Sequence, residues 1–281
     1  MSKCIFFPSI GGTGLSENER LIRFIGHPDE LKALLNGGLS LTRAGEFPDK
    51  QEAARTAADD QWVTNFFGSP SDFKRRQIEA QRQAILASAY VSCWHRLSQD
   101  SDLPKLAEEY TGCFSCAVTT SIRRVQSSIP APDMTSNPDG TVNFLNLFNV
   151  RYIESESNTL EDELAGEMPR CGYPELEFKR AKHVYQNEAR FVMHDWSATT
   201  IDFGIPRLPA IDRPKYCYAA IDPNTFIENI YPLNESSSIQ AKSHLTELNY
   251  QPCITLCTAI ELKDLCLTNT IGCGDNRIVR D

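Results

Sequence analysis

At 281 residues, 41% hydrophobic and 23% charged, the chain has the composition of a soluble globular protein and a length that one α/β or α+β unit can fill. A net charge of −9 weighs against a duplex-binding module, whose affinity comes mostly from phosphate contacts, although a basic cleft on an acidic body would still fit. No apolar run approaches the length of about eighteen residues needed to span a bilayer, and the apolar start Ile5-Phe6-Phe7 is broken at Pro8, too short for a signal-peptide core, so a cytoplasmic chain with no membrane partner is expected.

Residues 1–20 read as a leader. Its Gly11-Gly12-Thr13-Gly14 lacks the strand, helix and following lysine of a phosphate loop. Residues 21–25 are β-prone; Pro28-Asp29-Glu30 opens a helix with proline early and acids at the positive end of the dipole. Leu31, Leu34 and Leu35 give that helix its apolar stripe, Gly37-Gly38 ends it, and residues 39–43 alternate with period two as a strand. Residues 70–87 are helix-prone, 87–94 β-prone and 101–110 helical; 112–119 read as a strand and 120–125 as a helix start. Three prolines make 127–141 a loop. Strand character returns at 148–153, around 188–193 and at 216–221, while 224–230 and 240–249 read as helices. There is no internal repeat. The expected architecture is α+β: a single compact domain over residues 21–281, with a mixed or antiparallel sheet and helical insertions between the early strands.

Ten cysteines are scattered along the chain. Cys113-x-x-Cys116 has zinc or redox spacing, but a strand there puts the two thiols on opposite faces, and no second pair completes a tetrahedral site. Metal-free, reduced cysteines are expected. Cys93 and His95, two apart on a strand, share a face; they read either as a core cysteine beside a strand-end histidine or as a nucleophile pair. Arg23 lies between Ile22 and Phe24 in an apolar strand and requires a partner: a salt bridge at the sheet edge, or a phosphate or ribose in its guanidinium fork. Glu188 opens the apolar strand Phe191-Val192-Met193 with Lys179, Arg180, Lys182 and Tyr185 on its approach and Arg190 two residues on. It reads as a structural Glu–Arg pair or as a charge held in place for chemistry.

In order along the chain come Arg23-Phe24, Leu34-Leu35-Asn36-Gly37-Gly38, the turn from Phe47 to Glu52, Tyr90 to His95, Leu103 to Gly112, and Lys179-Arg180 with Tyr185 to Arg190. This series resembles a large prokaryotic and phage family catalogued as a domain of unknown function, collinear over residues 21–260. The turn departs from the family with Pro48 and Lys50, and the helix before Gly112 lacks its tryptophan. That family's pattern is in turn similar to ADP-ribosyltransferases, including toxins that modify nucleic acids. The resemblance implies an ADP-ribosyltransferase-like fold and NAD as the substrate, with Glu188 as the catalytic carboxylate. It also implies Arg23 on the pyrophosphate, Tyr110 or Tyr185 stacked on nicotinamide, and Arg190 in the same cofactor site. Arg23 and Glu188 are then expected on neighbouring strands lining one cleft. The setting implied is a toxin or phage-conflict factor, with a protein or nucleic-acid acceptor left open. A non-catalytic binding module of the same fold and a Cys93–His95 hydrolase are the alternatives.

Overall fold

The computed structural model describes residues 4–8, 14–47, most of 80–97, 105–106, 114–129, 143–153, 174–194, 200–202, 205–207, 214–233, 235–247 and 255–256. Its core is a ten-stranded, mainly antiparallel sheet. Along the path run β1 (Cys4–Pro8), β6 (Asn143–Asn149), β9 (Glu188–His194), β4 (Ala89–Arg96), β2 (Arg20–Ile25), β5 (Cys116–Ser121), β13 (Asn229–Pro232) and β14 (Thr255–Leu256). β3 (Gly38–Arg43) pairs with β4 and with β12 (Tyr216–Ala220) off that path. Two small sheets join β7 (Arg151–Ile153) to β8 (Phe178–Arg180), and β10 (Thr200–Asp202) to β11 (Ile205–Arg207). The mixed α/β character expected from the pattern is present. No described helix is long and apolar enough to cross a membrane.

The sheet forks at β4. On one edge β4 pairs with β9 along its length, from Ala89↔His194 to His95↔Glu188. On the other edge its end takes β2 (Leu21↔Arg96, Ile22↔His95) and its start takes β3 (Thr42↔Val91, Arg43↔Tyr90).

One face carries the larger core. Leu31, Leu34 and Leu35 of α1 (Pro28–Leu35), Ile122 and Val125 of α2 (Ile122–Ser128), and Ala241 of α5 (Glu235–Glu247) pack there with Leu21, Trp94, Leu147 and Phe191. The apolar stripe read from the three leucines is thus the buried face of α1. His27 caps that helix, and Gly37 closes it at φ +83°, where an added Cβ would meet the Ile221 carbonyl at 2.9 Å. The opposite face holds two smaller clusters. Val91, Phe148, Val192 and Leu176 of α3 (Pro174–Glu177) form one; Ile22, Phe24, Leu106, Ala117 and Tyr231 form the other, with Phe114 and Tyr185 packed against it.

Several expectations are corrected. Residues 4–8, expected within a leader, are an edge strand pairing in parallel with β6. The helix expected over 224–230 is one turn, α4 (Pro223–Phe226), followed by β13, because the chain extends after Phe226 to pair with β5. The strand expected over 112–119 is placed at Cys116–Ser121. The turn at 48–52, most of the expected helices at 70–87 and 101–110, the loop from 130 to 141, Cys113 and Tyr110 lie outside the described residues.

Candidate functional site

Strand alternation and cross-strand register decide which charged groups meet. Along the second face of the β4–β9 pair the partners run Val91↔Val192, Cys93↔Arg190 and His95↔Glu188. An apolar rung thus gives way to two polar ones, set between the two apolar clusters. Phe148 of β6 faces Arg190 from the other side.

Glu188 is 1% exposed, and its carboxylate is held at both oxygens. Arg190 Nε donates to Oε1 at 2.6 Å and Lys179 Nζ to Oε2 at 2.6 Å. Lys179 also donates to Gln186 Oε1 at 2.8 Å, and Arg190 Nη1 to the Leu176 carbonyl at 3.0 Å. The backbone of Glu188 is pinned too: its N–H donates to Tyr152 Oη at 2.9 Å and its carbonyl accepts from Val150 N at 2.8 Å. Burial alone pushes this carboxyl up. The charges of Arg190 and Lys179, with hydrogen bonds from Arg190 and Cys93, outweigh it and hold the group well below the usual carboxylate range. The Tyr152 phenol is pushed up to about 12 by burial and then by the Glu188 charge, so it stays neutral.

Lys179 belongs to β8, outside the main sheet. From β8 the chain makes a 3-10 turn (Ala181–Gln186) and rejoins the sheet through Asn187. Asn187 has φ +38°, a left-handed conformation that asparagine tolerates better than most residues. Its carbonyl accepts from Arg96 N, and its side chain from Arg96 Nη1 at 3.3 Å. The His95 ring sits 2.8 Å from the Gln186 carbonyl through Nδ1. Because a carbonyl only accepts, Nδ1 carries the proton. The same ring packs edge-on to Phe24 at 6.0 Å, and Phe24 to Phe114 at 6.2 Å. Lys105 Nζ lies 3.9 Å from the centre of the Tyr185 ring. A fixed anion and an aromatic wall therefore share one face of the sheet.

Arg23 does not join them. Ile22 is the partner of His95, so its neighbour Arg23 points to the opposite face, and β4 separates β2 from β9. There Arg23 fills the fork: Nη1 donates to the Ser40 carbonyl at 3.0 Å and to Ser92 Oγ at 2.6 Å, and Nη2 pairs with Glu30 of α1. Ser92 Oγ also accepts from Trp94 Nε1 at 3.1 Å. The expectation of one cleft lined by Arg23 and Glu188 is overturned, and with it the support that a shared cleft would have given to the transferase reading. Of the two readings of Arg23, an ion pair is what the structure holds, at the fork of the sheet and not at its edge.

Cys93 and His95 do share a face, as strand alternation requires. The Cys93 thiol bonds to the Glu188 carboxylate and His95 Nδ1 to a backbone carbonyl. A thiol that donates to an anion keeps its proton, the reverse of what a nucleophile needs. Cys116 is a free buried thiol pushed up to about 12 by burial. Lys179, Gln186 and Tyr152 are the site residues that sequence reasoning did not assign; only the presence of Lys179 and Gln186 in the segment leading to Glu188 pointed to them.

No family model and no curated protein matches the chain. Among solved structures, Thermus sp. 2.9 DarT in complex with NAD+ is similar, at 12% identity and a TM-score of 0.34, over 89% of this chain and 98% of that one. A superposition of that quality fixes neither the fold nor the chemistry.

Proposed function

We propose that the chain is an ADP-ribosyltransferase-like protein that takes NAD as substrate on the Glu188 face of the sheet. The observation that carries this reading is a buried, ionised carboxylate at the head of a central strand, on the same face as the Phe24–His95–Phe114 aromatic wall and Tyr185. In the proposed reaction the bond from ribose to nicotinamide breaks with its electron pair on the leaving ring. The acceptor atom bonds to the ribose carbon and gives up its proton. The Glu188 charge offsets the positive charge that develops on the ribose. Tyr185 is the stacking partner for nicotinamide, on the ring face that Lys105 does not cover. Arg190, first expected among the NAD contacts, is the group that orients the carboxylate. Arg23 is withdrawn from the NAD site, since it faces the other side of the sheet. A toxin or phage-conflict setting rests on the family resemblance alone.

A second reading is favoured by one observation: both Glu188 oxygens are already bonded inside the protein. On that reading the triad holds β8 to the sheet, and the chain is a binding module without transferase activity. Incubation with NAD labelled in its adenylate half, in cell lysate, separates the two. The transferase reading expects label in protein, RNA or DNA together with free nicotinamide. Intact NAD and no transfer would leave the binding module.

A further inference from the structure

We infer that Lys179 is an internal competitor for the Glu188 site, one that NAD must displace; this rests on the transferase reading above. The two cations on the carboxylate are not equivalent. Arg190 lies on the same strand two residues away, is 1% exposed, and is tied to the Leu176 carbonyl as well as to Oε1. It is a fixed part of the sheet. Lys179 reaches Oε2 from β8, which pairs with β7 and not with the main sheet. It also donates to Gln186 Oε1, on the 3-10 turn that leads into the site.

The chemistry of the two side chains points the same way. A guanidinium bonded at several nitrogens is locked by its plane, whereas an ammonium on a flexible four-carbon stem, with three rotatable donors, is the more readily exchanged of the two. A ribose hydroxyl approaching Oε2 requires the lone pair that Lys179 now takes. With Lys179 in place the carboxylate is buried and ionised but shut off from substrate. With Lys179 swung out, Oε2 regains a lone pair while Arg190 keeps Oε1 in position and the Cys93 thiol stays on the carboxylate.

The test compares NAD consumption by the wild type, Lys179→Met and Gln186→Ala, with NAD binding followed by calorimetry and folding by melting temperature. Removing a competing charge-assisted hydrogen bond should raise kcat/KM for NAD, per folded molecule, roughly tenfold in Lys179→Met, at a lowered melting temperature because Glu188 is left buried with one cation fewer. Gln186→Ala, which removes one hydrogen bond to Lys179 and no charge, should raise it about two- to threefold. If the wild type consumes NAD and neither variant exceeds it, the competitor role is wrong while the transferase reading stands. If no form binds or consumes NAD, both fall. Should Lys179→Met not fold, the Gln186→Ala comparison decides by the same criterion.

Discussion

Two charges are built into apolar strands of this sheet, and the protein treats them differently. Arg23 sits at the fork, where β2 and β3 part from β4. Its partners are a backbone carbonyl, a hydroxyl and Glu30 of α1. Glu30 keeps 24% of its side chain exposed, so water shares the work of balancing the pair. Glu188 sits between two apolar clusters, and its ionic partners Lys179 and Arg190 are 9% and 1% exposed. The first arrangement ties together three strands and a helix. The second fixes one carboxylate in a single position and keeps it ionised where water would normally be needed. An ion pair whose partners retain water contributes little, whereas truncating one partner of a buried pair is costly.

That difference sets the size of the expected effects. Arg190→Met leaves Glu188 buried with one cation fewer, and should cost about 3–5 kcal/mol, read as a lower urea midpoint at unchanged m. A midpoint near that of the wild type would mean that the triad contributes little to folding. Arg23→Met removes charged hydrogen bonds but lets Glu30 return to water; about 2 kcal/mol is expected, with NAD consumption per folded molecule unchanged. Loss of NAD consumption in that variant would restore Arg23 to the substrate site.

Acid sharpens the comparison. The folded-state pKa of Glu188 is depressed, so its contribution is fully present above the unfolded value of about 4.3 and is lost as pH falls toward the folded one. Each such proton contributes a slope of at most about 1.4 kcal/mol per pH unit in that window. Urea midpoints measured from about pH 5 to about pH 3 should fall less steeply in Glu188→Gln than in the wild type; equal slopes would mean that Glu188 is not the group titrating. The smallest effect is expected at Asn187→Ala, which puts a less tolerant residue at φ +38° and removes the bond from Arg96, for about 1–2 kcal/mol.

Much of the framework was legible because it depends on neighbours in sequence. Pro28 and the leucines at 31, 34 and 35 specify α1, and the run Phe191-Val192-Met193 specifies a strand that is buried at every position from Glu188 to His194. What was not legible depends on register between distant strands. Alternation places Arg23 opposite in sense to Ile22 and Phe24, but only the Ile22↔His95↔Glu188 alignment shows that Arg23 faces away from the carboxylate. Tyr152, 36 residues before Glu188, carries no local signal at all. The helix expected over 224–230 ends after one turn because 229–232 pair with β5, a tertiary effect that no local pattern carries.

The central claim is that Glu188 does chemistry and not only structure. Because the carboxylate is buried, Glu188→Gln should lower stability on either account, so melting temperature alone does not separate them. The direct measurement is NAD consumption per folded molecule, with the folded fraction taken from circular dichroism at the assay temperature. The transferase account predicts that Glu188→Gln loses about a hundred- to a thousandfold in rate, the usual cost of removing one electrostatic contact to a charged transition state. NAD consumption equal to the wild type in the folded fraction would contradict it.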